Sequence, residues 1–162
     1  MSSPAEFDSA AWREQRDSII QAFVQDADAM ACIHALASIS ETWDDLADGD
    51  ELNRADAIDA FRALLFGLER NPFWARWRPL LQFHVEQMTL LWETSNELER
   101  SADWKIRCRA FFLRESANLL VPAVVSILHG HERALQCSLA LWEFLPHEEP
   151  DQWEFRHEPR RR

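Results

Sequence analysis

The sequence predicts an all-α protein: a single-domain antiparallel bundle of about five to six helices over residues 1–146, followed by a flexible polar tail at 147–162. Three observations carry this prediction. Apolar residues recur three and four positions apart over long stretches, the period at which an α-helix returns to one face. The chain holds three glycines in 162 residues, too few to supply the left-handed turn positions that hairpins consume. The breaks between periodic stretches also carry helix punctuation, at Asp48-Gly49-Asp50, Asn71-Pro72, Ser101, Gly130 and Pro146.

Taken in order, a first helix is expected over about 9–28, capped by Asp8 or Ser9, with Trp12, Ile19, Ile20, Phe23 and Val24 on its apolar side. It runs into a second over 29–47, stopped by the Asp-Gly-Asp sequence. A third, about 54–69, places Ile58, Phe61, Leu64, Leu65 and Leu68 at core spacing. Asn71 caps and Pro72 opens the next segment, which Pro79 should divide into a short turn at 72–77 and a long helix at 79–98. Ser101 is expected to cap a helix over about 102–128 that Pro122 kinks, and Gly130 separates it from a last helix at 131–145. The tail alternates charge with proline, a composition that cannot bury a core.

Composition limits the function classes. Hydrophobic residues at 47% and charged residues at 28% are globular values. No apolar run reaches the roughly 18 residues of a membrane span, and the N-terminus lacks the basic and apolar regions of a signal peptide. Cys32, Cys108 and Cys137 form no CxxC pair and read as small buried hydrophobes, so neither a disulfide framework nor a cysteine zinc site is indicated. A cytoplasmic protein without a membrane partner is expected. The net charge of −11 lies wholly in residues 1–60, where 14 acidic residues face three arginines. Such a chain repels duplex nucleic acid.

The second helix carries the clearest polar pattern. At about 100° per residue, His34, Ser38, Glu41, Asp45 and Asp48 share one face, while Cys32, Leu36, Ile39, Trp43 and Leu46 share the other. Bundle metal sites are built from carboxylates and histidines on facing helices, so His34, Glu41 and Asp45, joined by His84 and Glu115, are candidate ligands for a divalent metal ion. The favoured alternative is that the stripe is the solvated side of an amphipathic helix. Asp44-Asp45-Leu46-Ala47-Asp48 matches a magnesium-holding DDxxD string, but no second acidic motif accompanies it, and no ExxH pair of a di-metal bundle occurs. His84 shares a face with Leu81, Val85, Met88 and Trp92 and reads as a hydrogen-bonded core histidine. Glu115 in apolar company calls for Arg109, Arg114 or His84 as its partner.

Residues 71–79 interleave Phe73, Trp74 and Trp77 with Arg76 and Arg78. Stacking on bases would use such a mix, yet aromatics docked in the core with arginines facing the acidic N-terminal third explain it more economically. Of the eight tryptophans, Trp12, Trp43, Trp77, Trp92, Trp104 and Trp142 fit helix core stripes. Trp153 lies in the tail beside Phe155, ahead of Arg160, Arg161 and Arg162. Aromatic anchors with terminal basic charge suit a docking peptide for a protein partner.

Glu41-Thr42-Trp43-Asp44-Asp45-Leu46 and Asp48-Gly49-Asp50, followed by Asn71-Pro72-Phe73 and Phe112-Leu113-Arg114, resemble a pattern of small helical proteins of tailed bacteriophages and prophages. The resemblance covers roughly residues 30–130 and implies a phage origin without implying a chemistry. With no catalytic motif, the sequence favours a non-enzymatic protein that binds another protein, in virion assembly or in the infected host, and needs no cofactor. Two alternatives stay open: a metal-dependent hydrolase using the His34/Glu41/Asp45 stripe, and an acidic mimic of nucleic acid that blocks a host defence protein. Self-association is also left open.

Overall fold

A computed structural model describes residues 9–49 and 51–144, and these are all-helical, with no strand among them. Seven helices of nine residues or more are found among the described residues, more than the sequence suggests: α1 (Ser9–Val24), α2 (Ala27–Asp48), α3 (Arg54–Arg62), α5 (Pro72–Leu98), α6 (Trp104–Arg114), α7 (Leu120–His129) and α8 (His131–Phe144). A π turn (Ala63–Gly67) and a single turn, α4 (Leu68–Arg70), continue α3 toward Asn71. None of the described helices is long and apolar enough to cross a membrane. The proposed tail and its boundary at 146/147 lie outside the described residues.

The extra helices arise where local chemistry overrides periodicity. The first helix ends at Val24 rather than near 28, because Gln25 takes a left-handed φ of 54° and Asp26 caps α2 by accepting from the Ala29 N–H at 2.8 Å. The carbonyls stranded at the end of α1 are taken up by side chains. Ala22 accepts from Gln25 Nε2 at 3.1 Å and from Arg133 Nη2 at 3.0 Å, and Val24 accepts from His129 Nε2 at 3.1 Å. Cationic and N–H donors at a helix C-terminus also oppose the negative end of its dipole. These bonds tie α1 to α7 and α8.

Pro79 does not divide the fourth segment; α5 runs unbroken from Pro72 to Leu98. The carbonyl it deprives of a partner belongs to Ala75, and both residues are exposed, so water can take the lost bond. The helix expected over 102–128 is instead broken. Asp103, not Ser101, caps α6, accepting from the Lys105 N–H at 2.9 Å, and residues Glu115–Leu119 form a 3₁₀ turn before α7. Pro122 then falls in the first turn of α7, where a helical N–H has no intrahelical acceptor, instead of kinking a longer helix. Elsewhere the sequence punctuation is used as written. Gly49 closes α2 at φ 75°, and Gly130 separates α7 from α8 at φ 85°. Asn71 caps α5 by accepting from the Trp74 N–H at 2.8 Å while its own Nδ2 donates to Asp28 O at 2.8 Å.

The main core gathers Ile20 and Val24 of α1, Cys32, Ile33 and Leu36 of α2, Phe73, Trp74 and Leu81 of α5, Val124 and Val125 of α7, and Cys137 and Leu141 of α8. Burial pushes the Cys32 and Cys137 thiols up to about 11, so both stay protonated hydrophobes at neutral pH; the Arg133 charge opposes the rise at Cys137. Cys108 is half-buried. A smaller cluster joins Ala110 and Phe111 of α6 to Leu98.

The third helix departs from the expected pattern. Ala60 is buried and Ala57 and Ala63 are half-buried, whereas Ile58, Phe61, Leu64 and Leu65 are exposed and only Leu68 of the expected stripe enters the core. The alanines form a helical row of their own, and their small side chains let α3 and the π turn pack against α2. The same correction applies to several tryptophans. Trp12 stacks on Phe144 at 5.7 Å, and Trp77 and Trp92 are half-buried, but Trp43, Trp104 and Trp142 are exposed.

Candidate functional site

The described side chains of the polar stripe of α2 divide between solvent and protein, with Ser38 half-buried. His34 and Glu41 are exposed and Asp45 is half-buried. Arg16 of α1, itself largely covered, reaches the exposed Glu41 at 3.6 Å, a long pair of small energetic consequence. His84 lies half-buried on α5 with its ring edge-on to Phe83 at 6.1 Å. Glu115, in the 3₁₀ turn, accepts from Asn118 Nδ2 at 2.9 Å. These five candidate ligands are not brought together: no three His, Cys, Asp or Glu side chains group as metal ligands among the described residues. Trp153, Phe155, Arg160, Arg161 and Arg162, the expected docking peptide, lie outside the described residues.

A different set of polar residues converges. Arg114, at the end of α6, donates from Nη1 to Glu99 Oε1 at 2.9 Å and from Nη2 to Asp44 Oδ1 at 3.2 Å, and Trp92 Nε1 donates to the same Asp44 oxygen at 2.7 Å. The Arg114 and Glu99 side chains are 19% and 16% exposed. One guanidinium thereby joins a carboxylate of α2 to one at the C-cap of α5, with the indole N–H satisfying a third lone pair. The arrangement clasps α2, α5 and α6. Arg114 and Asp44 stand 70 positions apart, and Asp44 lies beside the stripe residue Asp45 but off its face, so helical spacing alone does not reveal the pair.

The aromatic half of the economical reading holds for the 71–79 segment, but Arg78 pairs with Glu69 at 2.9 Å and not with the acidic N-terminal third. Phe73 and Trp74 are buried, and Arg76 stacks over the Trp77 ring at 5.3 Å. A groove of about 370 Å³ opens beside them, lined by Asp26, Asp28, Phe73, Arg76, Trp77 and Leu128 among others. That volume is near the lower end for small-ligand pockets, and Asp26 is already committed to capping α2.

Large apolar side chains are exposed on several helices, among them Phe83 and Leu90 of α5, Phe112 of α6 and Leu135 and Leu139 of α8, and they follow one another most densely in α3 and the π turn. On the hairpin formed by α2, α3 and the π turn, the exposed side chains are Trp43, Leu46, Ile58, Phe61, Leu64, Leu65 and Phe66, with Phe61 at 58% and Leu65 at 59% of full exposure. The apolar stripe of α2 begins in the core with Cys32 and Leu36 and leaves it by Trp43. Such a feature exceeds the scattered single hydrophobes normal on a monomer.

Comparison of the chain with known protein families, curated proteins and solved structures gives no match.

Proposed function

We propose that this is a non-enzymatic protein that acts by binding another protein through the α2–α3 hairpin. The supporting observation is the orientation of α3 and the π turn: Ala57, Ala60 and Ala63 face inward, while Ile58, Phe61, Leu64 and Leu65 face solvent. Large apolar side chains cost solvation free energy where they stand, and a partner that covers them recovers it. Buried aromatic anchors such as Phe61 and Trp43 are the residue types that dominate interface energetics. A phage setting, in virion assembly or in the infected host, is part of the proposal and rests on the sequence resemblance alone. The metal-dependent reading gains no support from candidate ligands that are spread over α2, α5 and the 3₁₀ turn.

The test is affinity enrichment with the full chain against its Phe61→Asp/Leu65→Asp variant. The expected result is a stoichiometric protein partner, or a second copy of the chain, retained by the parent and lost by the variant. Equal recoveries from the two, with both folded by circular dichroism, would overturn the reading.

A further inference from the structure

The proposed function names a surface; three observations narrow the chemistry of what covers it. The first is area. The seven apolar side chains, each 40–59% exposed on helices that pack together, offer on the order of several hundred Å², the scale of the ~800 Å² that one partner contributes to a standard stable interface. A surface of this size suits a helix or a small domain rather than a small molecule.

The second observation is charge. Residues 41–62 carry Glu41, Asp44, Asp45, Asp48, Asp50, Glu51, Asp56 and Asp59 against Arg54 and Arg62, a net −6. The acidic residues are interleaved with the apolar ones, Asp44 and Asp45 between Trp43 and Leu46, and Asp56 and Asp59 around Ile58 and just before Phe61. Arg114 holds Asp44, Arg62 holds Asp59 at 3.0 Å and Arg16 approaches Glu41, while Glu51 and Asp56 are exposed and Asp45 half-buried. With Arg16 and Arg114 counted, the hairpin still carries a net negative charge of about 4, so a second copy docked through the same hairpin would set like charge against like, which long-range repulsion disfavours. An anionic lipid surface is disfavoured on the same ground, since helices that lie in membranes carry Lys and Arg on their polar face.

The third observation is the kind of framework that offers the surface. The hairpin is helical throughout, and no strand among the described residues provides an edge for a partner strand to extend. Helical surfaces of this type accept the apolar ridge of another helix.

From these we infer that the α2–α3 hairpin receives a basic amphipathic helix of a partner protein. Its apolar face covers Phe61, Leu65 and their neighbours, and its lysines and arginines meet Asp45, Glu51 and Asp56. This inference rests on the protein-binding reading above and adds to it the partner's charge and secondary structure.

The experiment is calorimetric titration of the full chain with two synthetic amphipathic helices of about five turns, one built of Leu and Lys and the other with Glu in place of every Lys. The Leu/Lys peptide is expected to bind one to one, and about tenfold more weakly when salt is raised from about 50 to about 300 mM. Phe61→Asp/Leu65→Asp should weaken it by about thirtyfold or more, and Asp45→Asn/Asp56→Asn by several-fold. Leu135→Asp/Leu139→Asp, on exposed positions of α8, should leave it unchanged. Equal binding of both peptides, or Leu/Lys binding indifferent to the Phe61/Leu65 variant, overturns the inference. If neither peptide binds but sedimentation shows a dimer that the Phe61/Leu65 variant disperses, the basic partner is excluded while the protein-binding reading stands. If neither peptide binds and the parent stays monomeric while enrichment also fails, both fall together.

Discussion

Where α1 and α7 meet, bulk points inward: Ile20, Val24, Val124 and Val125 are buried, and the end of α1 is closed by side chains from its neighbours. Along α3 the order is reversed, with Ala60 4% exposed beside Phe61 at 58%. Both regions are amphipathic helices by sequence, and both are packed. They differ in which of two helical rows faces the protein. In the first region the large row makes the core and its burial supplies stability. In the second, a row of alanines makes a close helix–helix contact and the large row is left for another molecule. Hydrophobic periodicity thus identifies a helix without saying whether its apolar side serves folding or recognition.

Mutations that exchange the sensitivities of the two regions can break this comparison. The largest effect is expected from Leu81→Ala, which empties a fully buried position of α5 and should cost about 3 kcal/mol in chemical denaturation. Next comes Ala60→Leu, a gain of hydrophobicity that should nevertheless destabilise by about 2 kcal/mol, because the row facing α2 has no room for it. Arg114→Leu should cost about 1–2 kcal/mol by leaving the Glu99 and Asp44 carboxylates without their shared cation, and its effect should be non-additive with Glu99→Gln in a double-mutant cycle. Phe61→Ser, one residue from Ala60, should stay within about 0.5 kcal/mol of the parent. A loss for Phe61→Ser as large as that for Ala60→Leu would show that α3 is packed like the rest of the core.

The smallest effect at neutral pH concerns the buried thiols. Cys32 and Cys137 have folded values raised to about 11, above those of the unfolded chain. Between roughly pH 9 and 11 the unfolded state therefore binds fewer protons than the folded state, so their contribution to stability is intact below pH 9 and lost as the pH rises through 11. Cys32→Ala/Cys137→Ala should flatten that part of the pH–stability curve. Thiol-reactive dyes at pH 8 should label half-buried Cys108 first and the two core thiols only on opening.

How much of this is legible in the sequence differs by feature. The all-helical class, the asparagine cap at Asn71 and the glycine stops at Gly49 and Gly130 follow from residue chemistry that acts within one turn. The break at Gln25 does not, because a glutamine in a left-handed conformation is worthwhile only once Arg133 and His129, more than a hundred positions away, supply donors for the end of α1. The continuity through Pro79 depends on exposure, and the choice between the alanine row and the leucine–phenylalanine row of α3 depends on what α2 presents. The metal candidates share a face of α2, but ligands must also converge from other elements, and His84 and Glu115 do not. The Asp44–Arg114–Glu99 clasp is missed for the same reason, since its partners come from three helices.

The π turn at Ala63–Gly67 adds a consequence about rotational phase. A π turn takes up about one residue more than the α-helical turn it replaces, so it acts as an offset between Ile58 and Phe61 on one side and Leu68 on the other. Upstream of it the large side chains look away from the protein; downstream Leu68 is buried. Deleting a single residue from this segment would turn one half against the other by roughly 100°. The exposed row would then swing toward α2 or Leu68 would leave the core, so one codon's length of sequence separates a surface for recognition from an ordinary buried helix.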